Sequence, residues 1–529
     1  MLFRSTKLEP WPTNIIKNWD DCTPEEKKLY IRQVEIFAAY AAYNDHEIGR
    51  VIQAIEDIGK LDNTLIIYIN GDNGTSAEGG PLGTPNEVAF FNGVAVPVEE
   101  QMKWYDVWGT EQTYNHMSAG WSWAFDTPFT WFKQNASKLG GIRQGMCISW
   151  PERIKDKGGL REQFCHVIDI VPTILEVSGI PAPEYADGIK QAPIEGTSLA
   201  YTFDKKNAKE PSRHKTQYFE MFGQWALYHE GWLLSTKVNR APWEAFGAAN
   251  PDPLNNQVLE LYDLDKDFSQ SRNLADKYPD KVKDMKKVFI EEAKKYQVFP
   301  MDASVAARIV APRPNITAGR TEFVYTKPMV GLPQGDSPFL LNSSYTITAD
   351  IEVPEGGAEG MILTSGGRFA GYGFYLLKSK PVFLWNLVDL KRVRWEGPEL
   401  RPGKHTVEFD FKYDGLGVGT LAFNNLSGLG HSGTGTLKVD GKEVQTITMP
   451  RTLPMILQWD ESFDIGSDTL TGVNDADYKP PFPLTAKLNK LTIKVDRPKL
   501  SPEDIKKLED AQAEALDGKP LHRVQPGPH

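Results

Sequence analysis

Thr64-Leu65-Ile66-Ile67-Tyr68-Ile69-Asn70-Gly71-Asp72-Asn73-Gly74 is the stretch on which the reading of this chain turns. Its first six residues are apolar and mostly β-branched, the pattern of a strand buried on both faces in a parallel sheet. The loop that follows presents a carboxylate and an amide between glycines. Loops at the carboxyl end of a parallel strand are where α/β proteins place their ligands. Asp72 and Asn73 are hard oxygen donors, suited to Ca2+ or Mg2+ rather than to a soft metal. The same letters also suit a plain turn, and two donors do not make a metal site.

Working outward, residues 23–59 read as one long helix. Thr23 caps it, Pro24 fits its first position, and Glu26 completes a capping box. An apolar stripe follows through Val34, Phe37, Ala38, Ala41, Ile48, Val51, Ile52, Ile55 and Ile58, and Gly59 ends the helix. Downstream, Met146–Trp150 predicts a short strand and Phe164–Ser178 a helix with Pro172 inside it. Tyr218–Met221, Trp225–Tyr228 and Trp232–Thr236 predict strands, the last two a hairpin, and Pro279–Tyr296 an amphipathic helix. Residues 1–297 are therefore α/β or α+β. Pro, Ala, Arg and Asn without periodicity mark 298–320 as a linker. From 321 to 497 short alternating runs between Gly, Pro, Asn and Asp clusters predict a β-sandwich or jelly roll. Residues 498–529 read as a charged helix and a disordered tail.

Composition narrows the function classes. The chain has 529 residues, 40% apolar and 24% charged, an ordinary globular balance. Its 59 basic and 70 acidic side chains give a formal charge of −11, and no basic patch offsets it, so nucleic acid is not an expected partner. No apolar run reaches the ~20 residues of a membrane span. Three cysteines cannot frame a chain this long with disulfides, and Cys147 and Cys165, set among apolar residues, are expected in the core. The charged, proline-bearing first ten residues do not form a signal peptide.

A second stretch, Asp126-Thr127-Pro128-Phe129-Thr130-Trp131-Phe132-Lys133-Gln134 with Gly140-Gly141 beyond it, places a lysine among aromatics. Such a lysine either snorkels to the surface or, aimed into a cleft, holds an anionic oxygen. With this stretch in view the chain resembles the bacterial arylsulfatases of the alkaline phosphatase superfamily over roughly residues 10–300. The resemblance rests on Tyr43-Asn44-Asp45-His46-Glu47-Ile48-Gly49-Arg50, on Gly71–Gly74, and on Thr127-Pro128-Phe129 leading to Lys133 and Gly140-Gly141. It continues through His166–Leu175 and Leu261-Tyr262-Asp263-Leu264.

The resemblance implies an incomplete alkaline-phosphatase-like mixed sheet flanked by helices, with residues 1–297 as the C-terminal part of the catalytic domain and its small subdomain. It implies a hydrolase of small sulfate esters that uses a formylglycine and Ca2+, with Mg2+ as the alternative ion. Asp72 and Asn73 match two of the family's metal ligands, and Lys133 matches the lysine that contacts the sulfate. The family's nucleophile arises from Cys/Ser-x-Pro-Ser-Arg, and no stretch here supplies it. Cys22-Thr23-Pro24-Glu25-Glu26 lacks the arginine, and Glu210-Pro211-Ser212-Arg213 has Lys209 where the Cys or Ser belongs. The chain is thus expected to be the C-terminal portion of a longer arylsulfatase, catalytically incomplete and missing an N-terminal segment as its partner. The family is typically periplasmic or secreted.

Two other functions fit the same residues. A phosphodiesterase or phosphonate monoester hydrolase of the superfamily would use the metal and lysine equally well. A non-catalytic carbohydrate-binding role would use Phe369, Tyr372, Tyr375, Phe383 and Trp385 as stacking platforms, unless these form the sandwich core. His116 invites a catalytic role, whereas His166 fits helix packing or capping. Asp263-x-Asp265-x-Asp267 is no calcium loop, because Phe268 stands where the glycine is required.

Overall fold

The computed structural model describes residues 16–71, 73–244, 250–304, 316–317, 319–341, 343–415, 431–453 and 455–496. Asp72, much of the expected linker and the expected charged C-terminal helix lie outside the described residues. The chain folds as an α/β region followed by a sheet-rich region, as the sequence predicts. None of the described helices is long and apolar enough to cross a membrane.

Helix α1 (Pro24–Asp57) starts where its capping box demands: Glu26 N donates to Thr23 Oγ1 at 3.1 Å and Thr23 N to Glu26 Oε2 at 2.6 Å. Its apolar stripe is only partly covered. Leu29, Tyr30 and Gln33 are buried and Phe37 meets Phe125 at 4.5 Å, but Val51 is 64% and Ile58 70% exposed. The expectation of a core-facing stripe along the whole helix is therefore corrected. Its C-terminal two-thirds buries none of its side chains among the described residues.

Strand β1 (Ile66–Asn70) departs further from expectation. It runs antiparallel to β2 (Gly145–Ser149), with Tyr68 opposite Cys147, and is half-buried, fading to exposed at Ile69 and Asn70. It is neither parallel to a neighbour nor covered on both faces among the described residues. An apolar run states a demand for burial, not the direction or number of the strands that meet it. Cys147 is exposed and Cys165 half-buried, so neither cysteine is the core residue expected.

Between these strands lie four short helices: α2 (Glu87–Phe91), α3 (Val98–Gln101), α4 (Ala119–Asp126) and α5 (Leu139–Ile142). After β2, α6 (Ile170–Ser178) begins later than expected. Pro172 therefore sits in its first turn, where a missing N–H costs little. A small exposed hairpin, β3 (Tyr185–Ala186) and β4 (Ile189–Lys190), follows. Then β5 (Thr216–Met221), β6 (Gln224–His229), β7 (Trp232–Thr236) and β8 (Leu259–Asp263) form an antiparallel sheet in sequence order. Helix α7 (Pro279–Lys295) packs on it, with Phe289 stacked on Trp225 at 4.0 Å.

The β-rich region is a sandwich of two six-stranded antiparallel sheets. Its strands are β9 (Glu322–Tyr325), β10 (Met329–Pro333), β11 (Ser344–Val353), β12 (Gly360–Gly367), β13 (Ala370–Leu377) and β14 (Lys380–Leu387), then β15 (Lys391–Glu396), β16 (Gly403–Tyr413), β17 (Gly433–Val439), β18 (Lys442–Met449), β19 (Ser462–Ile465) and β20 (Lys487–Asp496). One sheet has the order β10-β19-β12-β13-β14-β15 and the other β18-β17-β16-β11-β20-β9. Strand β11 alternates buried and half-buried side chains, and Phe383 on β14 stacks on Phe409 of β16 at 3.6 Å. Phe369, Tyr372, Tyr375, Phe383 and Trp385 are all buried, so they are core rather than platforms for a sugar.

The sandwich core also takes in Val88 and Ala89 of α2 and Val96 after it. Buried Asn92 clamps the joint: its Oδ1 accepts from Met455 N at 3.1 Å and Ile456 N at 3.2 Å, and its Nδ2 donates to Ile456 O at 2.9 Å. Asn86 Nδ2 donates to the carbonyls of Phe369 and Val388, both at 2.9 Å. Replacing Asn92 by Ala strands two half-buried amides and a carbonyl. The expected loss is roughly 2–3 kcal/mol of unfolding free energy, read from urea denaturation followed by tryptophan fluorescence; an unchanged midpoint would contradict the clamp.

Candidate functional site

The loop after β1 and the loop bearing Lys133 are joined backbone to backbone. Gly74 N donates to Gly141 O at 3.1 Å, and a Cβ on Gly74 would stand 1.6 Å from Gly140 O. Thr75 continues the seam, its hydroxyl donating to Asp126 Oδ1 at 2.7 Å and its carbonyl accepting from Lys133 N at 3.3 Å. Behind the lysine loop, Asn135 Nδ2 donates to Gln224 Oε1 at 3.1 Å, while Gln270 takes Leu139 N at 2.9 Å and gives its Nε2 hydrogen to Ser137 O at 3.0 Å. Lys138, 1% exposed, pairs with Glu260 at 3.0 Å and donates to Tyr262 Oη at 3.2 Å. A buried ammonium is tolerable only when paired in this way. The four-stranded sheet thus fixes the loop that carries Lys133.

Lys133 does not snorkel. Its ammonium, on a side chain 38% exposed, donates to buried Glu78 Oε2 at 2.8 Å. Glu78 Oε1 accepts Gln134 Nε2 at 2.8 Å, and Ser76 Oγ lies 2.9 Å from Oε2. Burial raises the Glu78 carboxyl, but the bond and charge of Lys133, with Gln134 and Ser76, more than offset it, and the group stays below its ordinary value. Glu87 differs: burial, then the Glu78 charge, pushes it up to about 7. Burial lifts Asp126 to about 6 despite its bonds to Thr75. His116 Nε2 lies 2.8 Å from Ser76 Oγ and Nδ1 2.9 Å from Met117 O; burial holds its proton affinity below the ordinary imidazole range.

The sandwich reaches this cluster. Trp459 packs on Phe91 at 5.1 Å and Tyr114 at 5.7 Å, and the neighbouring Asp460 charge acts on both Glu87 and Tyr114. The result is a cluster in which the half-exposed Lys133 ammonium lies among the carboxylates of Glu78, Glu87 and Asp460, with Phe91, Tyr114 and Trp459 packed together nearby.

Of the residues singled out from sequence, Lys133 and His116 come together. Asn73, half-buried, sits two residues before Thr75; Asp72 lies outside the described residues. Among the described residues no group of three or more His, Cys, Asp or Glu could hold a metal ion. The donors described therefore do not by themselves fit a Ca2+ site, which needs six to eight oxygens. Ser76, Glu78, Glu87 and Gln134 were not legible as site residues. The one signal was an acid, Glu78, inside the small-residue run Ser76-Ala77-Glu78-Gly79-Gly80, where burial is easy and a charge must find a partner.

The His166–Leu175 motif is structural. His166 N donates to Asp169 Oδ2 at 2.8 Å, and the His166 ring accepts from Ile168 N. Asp169 Oδ1 also takes Thr197 N at 2.7 Å and His214 Nδ1 at 2.8 Å, and His214 Nε2 donates to Thr216 O at 3.1 Å. Both ring nitrogens of His214 face acceptors, which favours the imidazolium.

Residues 9–180 match the sulfatase family model. An uncharacterized sulfatase of Schizosaccharomyces pombe is 29% identical over 274 residues, covering 50% of this chain and 44% of that protein. An arylsulfatase of Klebsiella aerogenes is 24% identical over 207 residues, covering 39% of this chain and 41% of that one. The chain thus spans less than half the length of either relative. A structure from work on glycosaminoglycan metabolism by Bacteroides thetaiotaomicron aligns at 17% identity, TM-score 0.30, over 47% of this chain and 43% of that one.

The Asp169–His214 pair sets a pH window for stability. Burial raises Asp169, but His214 and the amides of Thr197 and His166 lower it further, so its contribution holds above the unfolded value near ~3.9 and fades as pH falls through the lower folded value. For His214, burial lowers and Asp169 more than restores; its contribution is complete below the unfolded value near ~6.5 and fades as pH rises through the higher folded value. Melting temperature against pH is expected to form a plateau between these limits. Asp169→Asn should cost roughly 3–5 kcal/mol of unfolding free energy, lowering that plateau and flattening both shoulders; a profile parallel to the parent's would refute the assignment.

Proposed function

We propose that this chain, a sulfatase family member through residues 9–180, is the part of a sulfuric ester hydrolase that presents a cation to the sulfate group. The observation that supports the reading is Lys133, the position the sequence resemblance aligns with the sulfate-contacting lysine: its ammonium is half-exposed and held by Glu78, and its backbone is bonded to the loop that follows Asn73. In sulfuryl transfer, charge develops on the sulfuryl and leaving oxygens, and a fixed ammonium stabilises it without reorganising. Glu78, itself bonded by Gln134, holds that ammonium before substrate arrives. A divalent cation, Ca2+ or Mg2+, belongs to the same proposal, with Asp72 and Asn73 as two ligands and the remaining oxygens supplied from outside the described residues. An aryl sulfate is the proposed substrate class.

The nucleophile enters with a further segment. No Cys or Ser in this chain stands in Cys/Ser-x-Pro-Ser-Arg, and exposed apolar side chains on two helices support a segment that packs there. Tyr40, Tyr43, Val51 and Ile58 on or just after α1, with Val171 and Ile174 on α6, are all exposed large apolar side chains.

The purified chain is expected to release no 4-nitrophenol from 4-nitrophenyl sulfate above background. Adding a sulfatase segment that bears the formylglycine sequence should give turnover, which Lys133→Ala lowers by ~100-fold or more. Turnover by the chain alone would show that the nucleophile lies within it. Turnover of the assembled protein that is indifferent to Lys133→Ala would overturn the role given to the lysine.

A further inference from the structure

Three contacts beside Lys133 run in series. Met117 O lies 2.9 Å from His116 Nδ1, His116 Nε2 lies 2.8 Å from Ser76 Oγ, and Ser76 Oγ lies 2.9 Å from Glu78 Oε2. Each gap needs one hydrogen. The serine hydroxyl supplies one and a neutral imidazole a second; the carbonyl and an ionised carboxylate supply none. The neutral series is therefore one hydrogen short, and its geometry says which gap goes without. A carbonyl cannot face a bare ring nitrogen without cost, so Nδ1–H points at Met117 O and Nε2 is left as an acceptor. Ser76 O–H then has two acceptors, His116 Nε2 and Glu78 Oε2, and can serve only one. Protonating His116 fills all three gaps: Nε2–H donates to Ser76 Oγ, and the serine hydrogen turns to Glu78.

We propose that Ser76 and His116 are positioning residues for Lys133, acting through Glu78, and that the direction of the Ser76 hydroxyl decides how firmly Glu78 holds the ammonium. When Ser76 donates to His116, Lys133 is the single donor to Glu78 Oε2 among the hydrogen bonds described there. When Ser76 donates to Glu78, Oε2 shares its charge between two donors, and the series carries one more positive charge. Lys133 is then freer to donate to an incoming oxyanion, and the cluster is more attractive to it. Anion affinity at Lys133 should accordingly rise as pH falls. This part of the inference rests on the reading of Lys133 as the oxyanion contact.

The charges that face the series are few. Glu78 favours a proton on His116 and Lys133 opposes it, while burial opposes it most. Glu87 faces Glu78 and Lys133 and feels Asp460 from the sandwich; it is itself pushed up to about 7. Asp126, raised to about 6, holds Thr75 immediately before Ser76. Any pH effect must therefore be separated from these two carboxyls, which Glu87→Gln and Asp126→Asn do.

The test uses the full chain and a chemical readout that needs no turnover. Reductive methylation at limiting reagent, quantified at Lys133 by peptide mass spectrometry and normalised to the other lysines, reports how tightly the amine is held. Glu78→Gln should raise Lys133 labelling several-fold. Ser76→Ala and His116→Gln should give intermediate increases and remove the extra rise seen between pH 7 and pH 5, below the ordinary imidazole value, while Ser76→Thr, which keeps the hydroxyl, should restore the parent profile. Glu87→Gln and Asp126→Asn should keep that rise. Labelling in Ser76→Ala and His116→Gln that matches the parent at both pH values would overturn the proposal, as would a rise that vanishes in Glu87→Gln or Asp126→Asn alone. Protection of Lys133 by inorganic sulfate is read in the same experiment. Its absence would sink the oxyanion reading, while the serine and histidine comparison still decides the positioning claim.

Discussion

The site depends on a contact with no side chain in it. Gly74 meets Gly140 and Gly141 so closely that a Cβ would overlap a carbonyl oxygen at 1.6 Å, and a Cβ on Gly140 would stand 2.3 Å from Thr130 O. Neither glycine has a positive φ, in contrast to Gly71 at +88°, so space rather than backbone conformation demands them. Through this contact the loop leaving β1 and the loop carrying Lys133 become one rigid body. The Thr75–Asp126 bonds, the Lys133 amide bond to Thr75 and the Glu78–Lys133 pair all follow from it. Widening the seam would move the ammonium away from its carboxylate, and a group misplaced by ~1 Å loses much of its effect.

Two kinds of packing hold the molecule, and they are unevenly shared. The sandwich is an aromatic core of ordinary completeness, with Phe383, Phe409, Trp395 and Tyr345 fully or almost fully buried. The α/β region relies more on buried ion pairs and amide clamps: Lys138 with Glu260, Asp169 with His214, Asn92 with the 455–456 backbone. Such pairs stabilise little over apolar packing but are costly to break singly, so they specify one arrangement. The joint also brings the sandwich to the charge cluster around Lys133. Helix α2, held in the sandwich core by Val88 and Ala89, carries Glu87, and Asp460 comes from the sandwich itself.

Local signals were legible in the sequence and non-local ones were not. The start of α1 was readable because the capping box closes within Thr23–Glu26, with no help from the rest of the chain. The α6 boundary was misread because His166 and Asp169 form a cap whose purpose appears only when His214 and Thr197 arrive from far along the chain. Cys147 was misplaced because its apolar neighbours on β2 suggested a core that the two-stranded ribbon does not build. Lys133 was reachable through family resemblance, but its partner was not: Glu78 is 55 residues away, and a charge inside a run of small residues does not announce what neutralises it.

By itself the sequence determined most of the elements: where α1 and α7 begin, which of the runs it singled out become strands, that an α/β region precedes an aromatic sandwich, and which stretches carry the family pattern. These follow from short-range rules of capping, periodicity and turn chemistry that act over a few residues. Only the tertiary structure decided how β1 is paired, which apolar side chains find cover, and which polar groups meet around Lys133. Pairing, burial and charge neutralisation are properties of atoms brought together across the chain. A given run of apolar or acidic residues is compatible with many partners until the fold selects one.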